Sequence, residues 1–433
     1  MRLRVQPYLH LLRHNPAFTR LYVAQLISFA GEWFATVALL GLALELTGSA
    51  AVASLVLVLQ TGGFAVAAPV AGMLADRLDR RRLLVAANLA RVPLALGLLL
   101  ARDPESLWIA FTCVALLAIC AAFFEPTSAA ALPNLVEPRR LPEANVLIGA
   151  AWGTMLAVGA AIGGAVAVVL GRDAAFVINA LAFGLSAILI FGIRRPMQQP
   201  REPGSATVSG NPLASIMVAF RFARARRLVA AFVLSKTTFG VGTGVVALLA
   251  VFGSEVFDGG DAGIGILFAA RGLGALIGPF LARALFGIDD RGLLIGIFGS
   301  LVVVCVSYAL FPIAPMIAVA ALLVLLAHMG GGAQWMLSTL GLQRATPDAL
   351  RGRLFSFDYG LVTMIITIST LLAGTIADAV SPSAAVWSMV VLIAVAGVGW
   401  LVLAWPLLRQ PGLPVTELAP ETLPDRESGQ RPR

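Results

Sequence analysis

Long apolar runs separated by short polar stretches occupy the chain from about residue 18 to residue 408. An α-helix rises about 1.5 Å per residue and the hydrocarbon core of a bilayer is about 30 Å thick, so about 20 apolar residues make a spanning helix. Twelve runs qualify: 18–46, 50–75, 83–101, 106–131, 145–170, 174–193, 228–253, 262–286, 292–312, 315–340, 354–378 and 384–408. The pattern predicts an all-α membrane protein with twelve transmembrane helices. Residues 1–17 combine Arg2, Arg4 and Arg13 with Tyr8, Leu9, Leu11 and Leu12, which predicts a short helix lying on the membrane surface. The first apolar run is too long for a signal peptide, so no removable leader is expected.

Between the sixth and seventh spans, Pro196 to Pro212 is rich in Pro, Gly, Ser and Gln and reads as a flexible linker. Leu213, Ile216, Met217 and Phe220 then alternate with Arg221, Arg224, Arg226 and Arg227, the pattern of a basic amphipathic helix on anionic headgroups. The stretch from about Gln410 is Pro-rich and polar, and disorder is expected there. The expected domains are therefore 1–195 and 228–409, six helices each, joined by 196–227 and followed by a tail, 410–433. The halves echo each other as pseudo-repeats. Gly278-Pro-Phe-Leu-Ala-Arg283 matches Gly72-Met-Leu-Ala-Asp-Arg77, and Thr346-Pro347-Asp-Ala-Leu350 matches Glu137-Pro138-Arg-Arg-Leu141.

Composition narrows the class. Of 433 residues, 59% are hydrophobic and 12% charged, about half the charged share of a soluble domain. A net charge of +8 raises the question of nucleic acid, but the arginines sit in short loops between spans, where they orient a membrane protein. No nucleic-acid partner is expected. Arg77 to Arg82, Arg139 and Arg140, Arg194 to Arg227, Arg283 and Arg291, and Arg344 to Arg353 fall on one side. The other side carries Arg102 and Arg172 among Asp103, Glu105, Asp173, Glu255, Asp258 and Asp261. With an even number of spans, that asymmetry places both termini in the cytoplasm. Cys113, Cys120 and Cys305 form neither a disulfide framework nor a metal site. There is no Walker A sequence, zinc signature, nucleophile elbow or catalytic carboxylate pair. Neither an enzyme nor a cofactor is expected.

Charges within a bilayer are costly and mark functional candidates. Glu32 lies about 18 Å beyond Arg20 along the first span, and it is the first candidate to carry a proton. Lys236 and Arg91 lie about 12 Å from the basic ends of spans seven and three. Arg271 is near mid-depth in span eight, and Glu125 and Asp358 lie closer to the basic side. For each of these, pairing between helices or snorkelling is the competing structural role. His328 and Gln334 in span ten can line a cavity or pack helices together. Glu45 and Asp378, at span ends, are expected to be solvated. Lys236 is the one lysine among 31 basic residues. Gly159 and Gly163, like Gly274 and Gly278, are spaced for close helix packing.

The loop after the second span runs Gly72-Met-Leu-Ala-Asp76-Arg77-Leu-Asp79-Arg80-Arg81-Arg82. It resembles the signature loop of the major facilitator superfamily in Gly72, Asp76, Arg77, Arg80 and Arg81, with Asp79 where that family usually has a second glycine. The opening Asn15-Pro-Ala-Phe-Thr-Arg20 through Gly31-Glu32-Trp33 is similar to the branch that includes enterobactin-type siderophore exporters and macrolide efflux pumps. So are Leu132-Pro133-Asn134-Leu135-Val136 and Gln343 through Phe355. Two family features are missing: an arginine in the fourth span, and the proline of a Gly-Pro-x-x-Gly-Gly element at Gly159 to Gly164.

The resemblance implies a secondary transporter of the bacterial inner membrane whose halves rock about a site formed mainly by spans one, four, seven and ten. It implies proton-coupled export of a moderately large organic compound such as a siderophore, macrolide or other drug, with protons and membrane lipids as further partners. Glu32, Asp358 and Glu125 are then the proton-coupling candidates, and Lys236, Arg271, Arg91, His328 and Gln334 the cavity candidates, with Lys236 expected to face Glu32 across the two halves because spans one and seven line the cavity in that family. Gly72, Asp76, Arg77, Arg80 and Arg81 would act in gating, with Asp76 accepting hydrogen bonds near the start of span eleven. An importer or uniporter of the same fold, or a non-transporting membrane scaffold or sensor, remains the alternative.

Overall fold

The computed structural model of the chain describes residues 6–198, 212–287 and 289–409, apart from the side chains of 69, 72–77, 142, 212–216, 348–349 and 351–352. The linker 199–211 and the tail 410–433, for which flexibility and disorder were expected, lie outside the described residues. A surface helix α1 (Gln6–His14) precedes the first six spans: α2 (Pro16–Thr47), α3 (Ala50–Arg77), α4 (Arg80–Gly97), α5 (Leu107–Leu135), α6 (Leu141–Leu170) and α7 (Arg172–Phe191). A second surface helix, α8 (Pro212–Ala225), leads into α9 (Arg227–Gly240) and α10 (Val245–Val251). Then follow α11 (Gly260–Phe286), α12 (Asp290–Leu310), α13 (Ile317–Ala345), α14 (Asp348–Ala379) and α15 (Pro382–Arg409). Counting α9 and α10 as one span, Arg227–Val256, twelve helices among the described residues are long and apolar enough to cross a membrane.

Local chemistry sets the helix ends. Asn15 caps α2, its Oδ1 accepting from Phe18 N at 3.1 Å, and Pro16 occupies the first turn, where its missing N–H costs nothing. The same helix stops at Gly48, whose φ of 60° is left-handed and whose N–H reaches Leu44 O. Asp79, in the place of the second family glycine, caps α4 by accepting from Arg82 N at 2.8 Å.

Span seven departs from the single helix expected over 228–253. It turns at residues 241–244 and ends in a π-helical segment, Phe252–Val256. Gly244 lies against the backbone of α14, where a Cβ would come 2.8 Å from Ser369 C, and Ser369 Oγ accepts from Gly244 N at 3.0 Å. The backbone thus turns where α14 approaches, and a neighbour rather than local propensity decides it.

Within the first half, α2 packs on α6 and α7, α3 on α5, and α4 on α5 and α7. In the second, α13 packs on α11 and α12, while α15 packs on α9, α12 and α14. The halves meet along α6–α11 and α3–α14. Small residues make that seam: a Cβ on Gly265 would lie 2.9 Å from Ala160 O. Gly163 is as close to the α2 backbone, and Gly274 and Gly278 are as close to α13, so the expected packing glycines do pack.

The core is distributed unequally along the bundle axis. One face of the bundle carries α1, residues 137–140 and residues 193–195, and is called the linker face. Towards the opposite face a single apolar core joins both halves, from Ala35 and Val37 through Leu156 and Phe176 to Val245, Phe268 and Met389. Towards the linker face the described residues form two separate cores. One is built around Phe18, Leu84 and Phe124 of the first half, the other around Phe232, Leu337 and Trp400 of the second. The halves are fused at one end and part at the other, so the space between them opens towards the linker face.

Candidate functional site

A cavity of about 300 Å³ lies between the halves. Glu32 and Trp33 of α2, Gln60 of α3, Glu125 of α5, Arg271 of α11 and Tyr359 of α14 are among the residues that line it.

Glu32 and Arg91 are joined. Arg91 Nη1 lies 3.1 Å from Glu32 Oε1, and the arginine is 1% exposed while a third of the Glu32 side chain remains accessible. Arg91 also lies over the rings of Phe124 at 5.3 Å and Phe183 at 5.1 Å. Asn88, within 3.5 Å of Arg91 Nη1, donates to Ser186 Oγ at 2.8 Å, which ties α4 to α7 behind the pair. A buried cation is tolerable only with such a partner. Of the two structural roles open to Arg91, it takes pairing between helices rather than snorkelling.

Arg271 is different. Its guanidinium carbon is 5.7 Å from the ring centroids of both Trp33 and Phe268, Nε is buried with no hydrogen-bond partner, and no carboxylate pairs with it among the described residues.

Lys236 does not face Glu32. Its Nζ pairs with Asp358 Oδ2 inside the second half, joining α9 to α14, with the two residues 3% and 2% exposed. The ammonium also lies 5.1 Å from the Trp335 ring and 5.9 Å from Phe355. Depth along the helix was readable from the sequence, but the angle at which span seven faces its neighbours was not. Neither Lys236 nor Asp358 lines the cavity.

Span ten contributes no residue to the cavity among those described, and spans two, eight and eleven do. Its two polar candidates turn away. His328 Nε2 is 2.8 Å from Tyr308 Oη, tying α13 to α12. Gln334 Nε2 donates to Ser235 O and to Thr238 Oγ1, the latter at 2.8 Å, tying α13 to α9. Both take the packing role.

The opposite face is closed by acids expected to be solvated. Glu45 pairs with Arg172, which also donates through Nε to Asp261 Oδ2 at 2.9 Å, so α7 is tied to α11 across the halves. Asp378 accepts from Ser49 Oγ at 2.6 Å and from Ala50 N at 2.7 Å, crowning α3 from α14. No sequence pattern announced these partners, which lie 89 and 328 positions apart.

On the linker face the side chains of Gly72, Asp76, Arg77 and Arg351 lie outside the described residues, so the Asp76 contact has no geometry to test it. Arg80 and Arg81 are described. Arg80 Nη1 donates to Ala130 O at 2.7 Å and Arg81 Nη1 to Ile193 O at 3.0 Å, which fastens the loop to the ends of spans four and six.

A two-fold bundle of twelve membrane-spanning helices around a central, partly polar cavity is the architecture of a secondary transporter. The family profile of the Major Facilitator Superfamily matches residues 21–357, and the chain belongs to that family. It is 28% identical over 364 residues to the enterobactin exporter EntS of Shigella boydii serotype 4 (strain Sb227), covering 80% of this chain and 82% of the relative. It is 27% identical over 215 residues to the uncharacterized MFS-type transporter YfiS of Bacillus subtilis (strain 168), about half of each chain. Among solved structures, it superposes on a bacterial homologue of the human lysosomal transporter Spinster, inward-facing and unoccupied, with a TM-score of 0.70, 15% identity and coverage of 92% and 98%. A POT family transporter in complex with 5-aminolevulinic acid gives a TM-score of 0.75 at 12% identity, with coverage of 92% and 97%. At those identities the likeness is one of fold.

Proposed function

We propose that the chain is a proton-coupled exporter of a moderately large organic compound, working by alternating access in a bacterial inner membrane with both termini cytoplasmic. The observation that carries this reading is the cavity between the halves, open towards the linker face and lined by Glu32 and Glu125. If the linker face is cytoplasmic, as its arginines argue, a substrate enters from inside the cell. The likeness to enterobactin exporters, at 28% identity over 80% of the chain, supports export.

Coupling needs a group that holds either a proton or the substrate. A cavity carboxylate meets that need, because protonation removes its charge and turns one of its oxygens into a donor, which weakens the hydrogen bonds that its ionised form accepts from substrate hydroxyl or N–H groups. Glu32 and Glu125 both stand where a substrate would meet them. Asp358, closed behind Trp335 and Tyr359, is the less direct candidate. Release to the other side requires the closed end to part, which breaks the Arg172–Asp261 and Asp378–Ser49 contacts between the halves. Asp76, near the linker face, would favour closure of that end by accepting hydrogen bonds from the start of α14.

Reconstitution into proteoliposomes tests the reading. An imposed proton gradient should drive a member of a panel of siderophores, macrolides and dyes across the membrane. No gradient-dependent flux, with folded protein shown in the same vesicles, would remove it.

A further inference from the structure

We propose that the cavity selects organic anions bearing an aromatic ring, with Arg271 receiving the acidic group and Trp33 stacking against the ring; this rests on the transport reading for its location in the substrate path. Arg91 and Lys236, the other basic residues set deep in the spans, each have a carboxylate, Glu32 and Asp358 respectively. Arg271 has none among the described residues, although it stands in the wall of the cavity.

Arg271 stands in the wall of a cavity that opens towards the linker face, its Nε buried and unpartnered, so its charge lacks the counter-ion that an anionic substrate would supply. Its surroundings deepen the point. The guanidinium lies beside Trp33 and Phe268, 5.7 Å from each ring centroid. Those contacts stabilise the charge but satisfy none of its N–H groups. Nε, with no hydrogen-bond partner, belongs to the fork that meets a carboxylate with two parallel bonds.

A cationic substrate would have to turn to Glu125, the other carboxylate named in the cavity wall. The charge of Glu32 is already matched by Arg91 at 3.1 Å, and Arg271 repels a second cation. The remaining wall suits a ring: Phe29, Trp33, Phe64 and Phe183 line the cavity beside Thr36 and Gln60. Gln60 Nε2 donates to Thr36 Oγ1 at 2.9 Å, which leaves the amide oxygen of Gln60 as an acceptor for a substrate hydroxyl. An acidic group beside an aromatic ring matches this wall, and an aromatic or macrocyclic amine does not.

The test is binding of three probes of one shape to the purified protein in phosphatidylcholine nanodiscs: 2-naphthoate, 2-naphthamide and 2-naphthylmethylamine, by titration calorimetry. A charge-assisted pair is worth about 1.5–3 kcal/mol, so naphthoate should bind about tenfold or more tighter than the amide. Arg271→Gln, with its thermal melt checked, should bring the two within about threefold of each other. If Arg271→Gln does not fold, Arg271→Lys carries the test. It should shrink the preference several-fold, because an ammonium lacks the fork. Equal binding of all three probes, tighter binding of the amine, or a preference that neither substitution changes would overturn the assignment. The outcome separates from the transport reading. Anion preference without gradient-driven flux would leave this inference standing and remove coupling, while gradient-driven flux of cations alone would do the reverse.

Discussion

Asp378 of α14 holds the start of α3, accepting from Ser49 Oγ at 2.6 Å and from Ala50 N at 2.7 Å. One carboxylate thereby serves as the N-terminal cap of a helix in the other half of the molecule. An ionised oxygen near the first turn of a helix is favoured by the unpaired N–H groups and by the helix dipole. In the proposed alternating-access cycle the contact exists only while the opposite face is closed, because opening would carry α14 away from α3.

Removing it should therefore shift the balance between the two states. Loss of a cap costs about 1 kcal/mol, which is about a fivefold change in a two-state population. Asp378→Ala is expected to raise, about fivefold, the reaction of a cysteine at Leu39 with a membrane-impermeant maleimide added outside the cell. Cys113, Cys120 and Cys305 would first be replaced. Unchanged labelling would show that Asp378 does not hold the closed end.

The Glu32–Arg91 pair predicts a separation of stability from coupling. Glu32→Gln strands a cation that is 1% exposed, and breaking a buried pair from one side costs about 3–5 kcal/mol. The melting temperature in detergent should fall clearly. Adding Arg91→Met removes the stranded charge and should restore most of the loss. If Glu32 carries the proton, gradient-driven flux should stay absent in the stable double variant. Flux that returns with stability would assign Glu32 to structure and move coupling to Glu125.

Lys236 and Asp358 predict the same asymmetry in the second half. Lys236→Met and Asp358→Asn should each destabilise by about 3 kcal/mol, and the double variant by much less than the sum. Additive losses would show that the pair does not interact in solution. Lys236→Arg should also destabilise, because the space between Trp335, Phe355 and Asp358 is already filled.

How far the sequence could be read follows from which signals are local. Twelve spans, their approximate ends and the two surface helices came from apolar periodicity and charge, and the family came from motifs around Gly72 and Asn15. The mid-depth charges were found because a lone ionisable residue in an apolar run is conspicuous. Their partners were not, since Lys236 reaches Asp358 over 122 positions and helix rotation leaves no mark along one strand of text. Arg172, Asp261 and Asp378 were overlooked for a similar reason. At a span end an acid is normally solvated, and only the approach of the other half makes it a latch. The break in span seven was missed because it falls where the backbone of α14 meets Gly244, an approach that no pattern within the span records. His328 and Gln334 failed as cavity residues because polarity alone does not distinguish a lining residue from a packing one.

Arg80 offers a fourth prediction, on the linker face. It donates to Ala130 O and Met197 O at 2.7 and 3.3 Å, so Arg80→Ala should lower stability by about 2 kcal/mol, the scale of hydrogen bonds from a charged donor. Arg80→Lys should recover only part of it, since the shorter side chain does not carry its ammonium to the position of Nη1. A melting temperature unchanged in both variants would remove the anchoring role.

The central claim is that a proton gradient drives substrate through the cavity between the halves. Its most direct measurement is proton movement in proteoliposomes containing an interior pH dye, with an outwardly directed substrate gradient and no other ion gradient. The account predicts proton entry that depends on substrate, is abolished in the stabilised Glu32→Gln, Arg91→Met variant or in Glu125→Gln, and persists when Asp358 and Lys236 are jointly neutralised. Substrate efflux without proton entry, or proton entry that survives the loss of both Glu32 and Glu125, would contradict it.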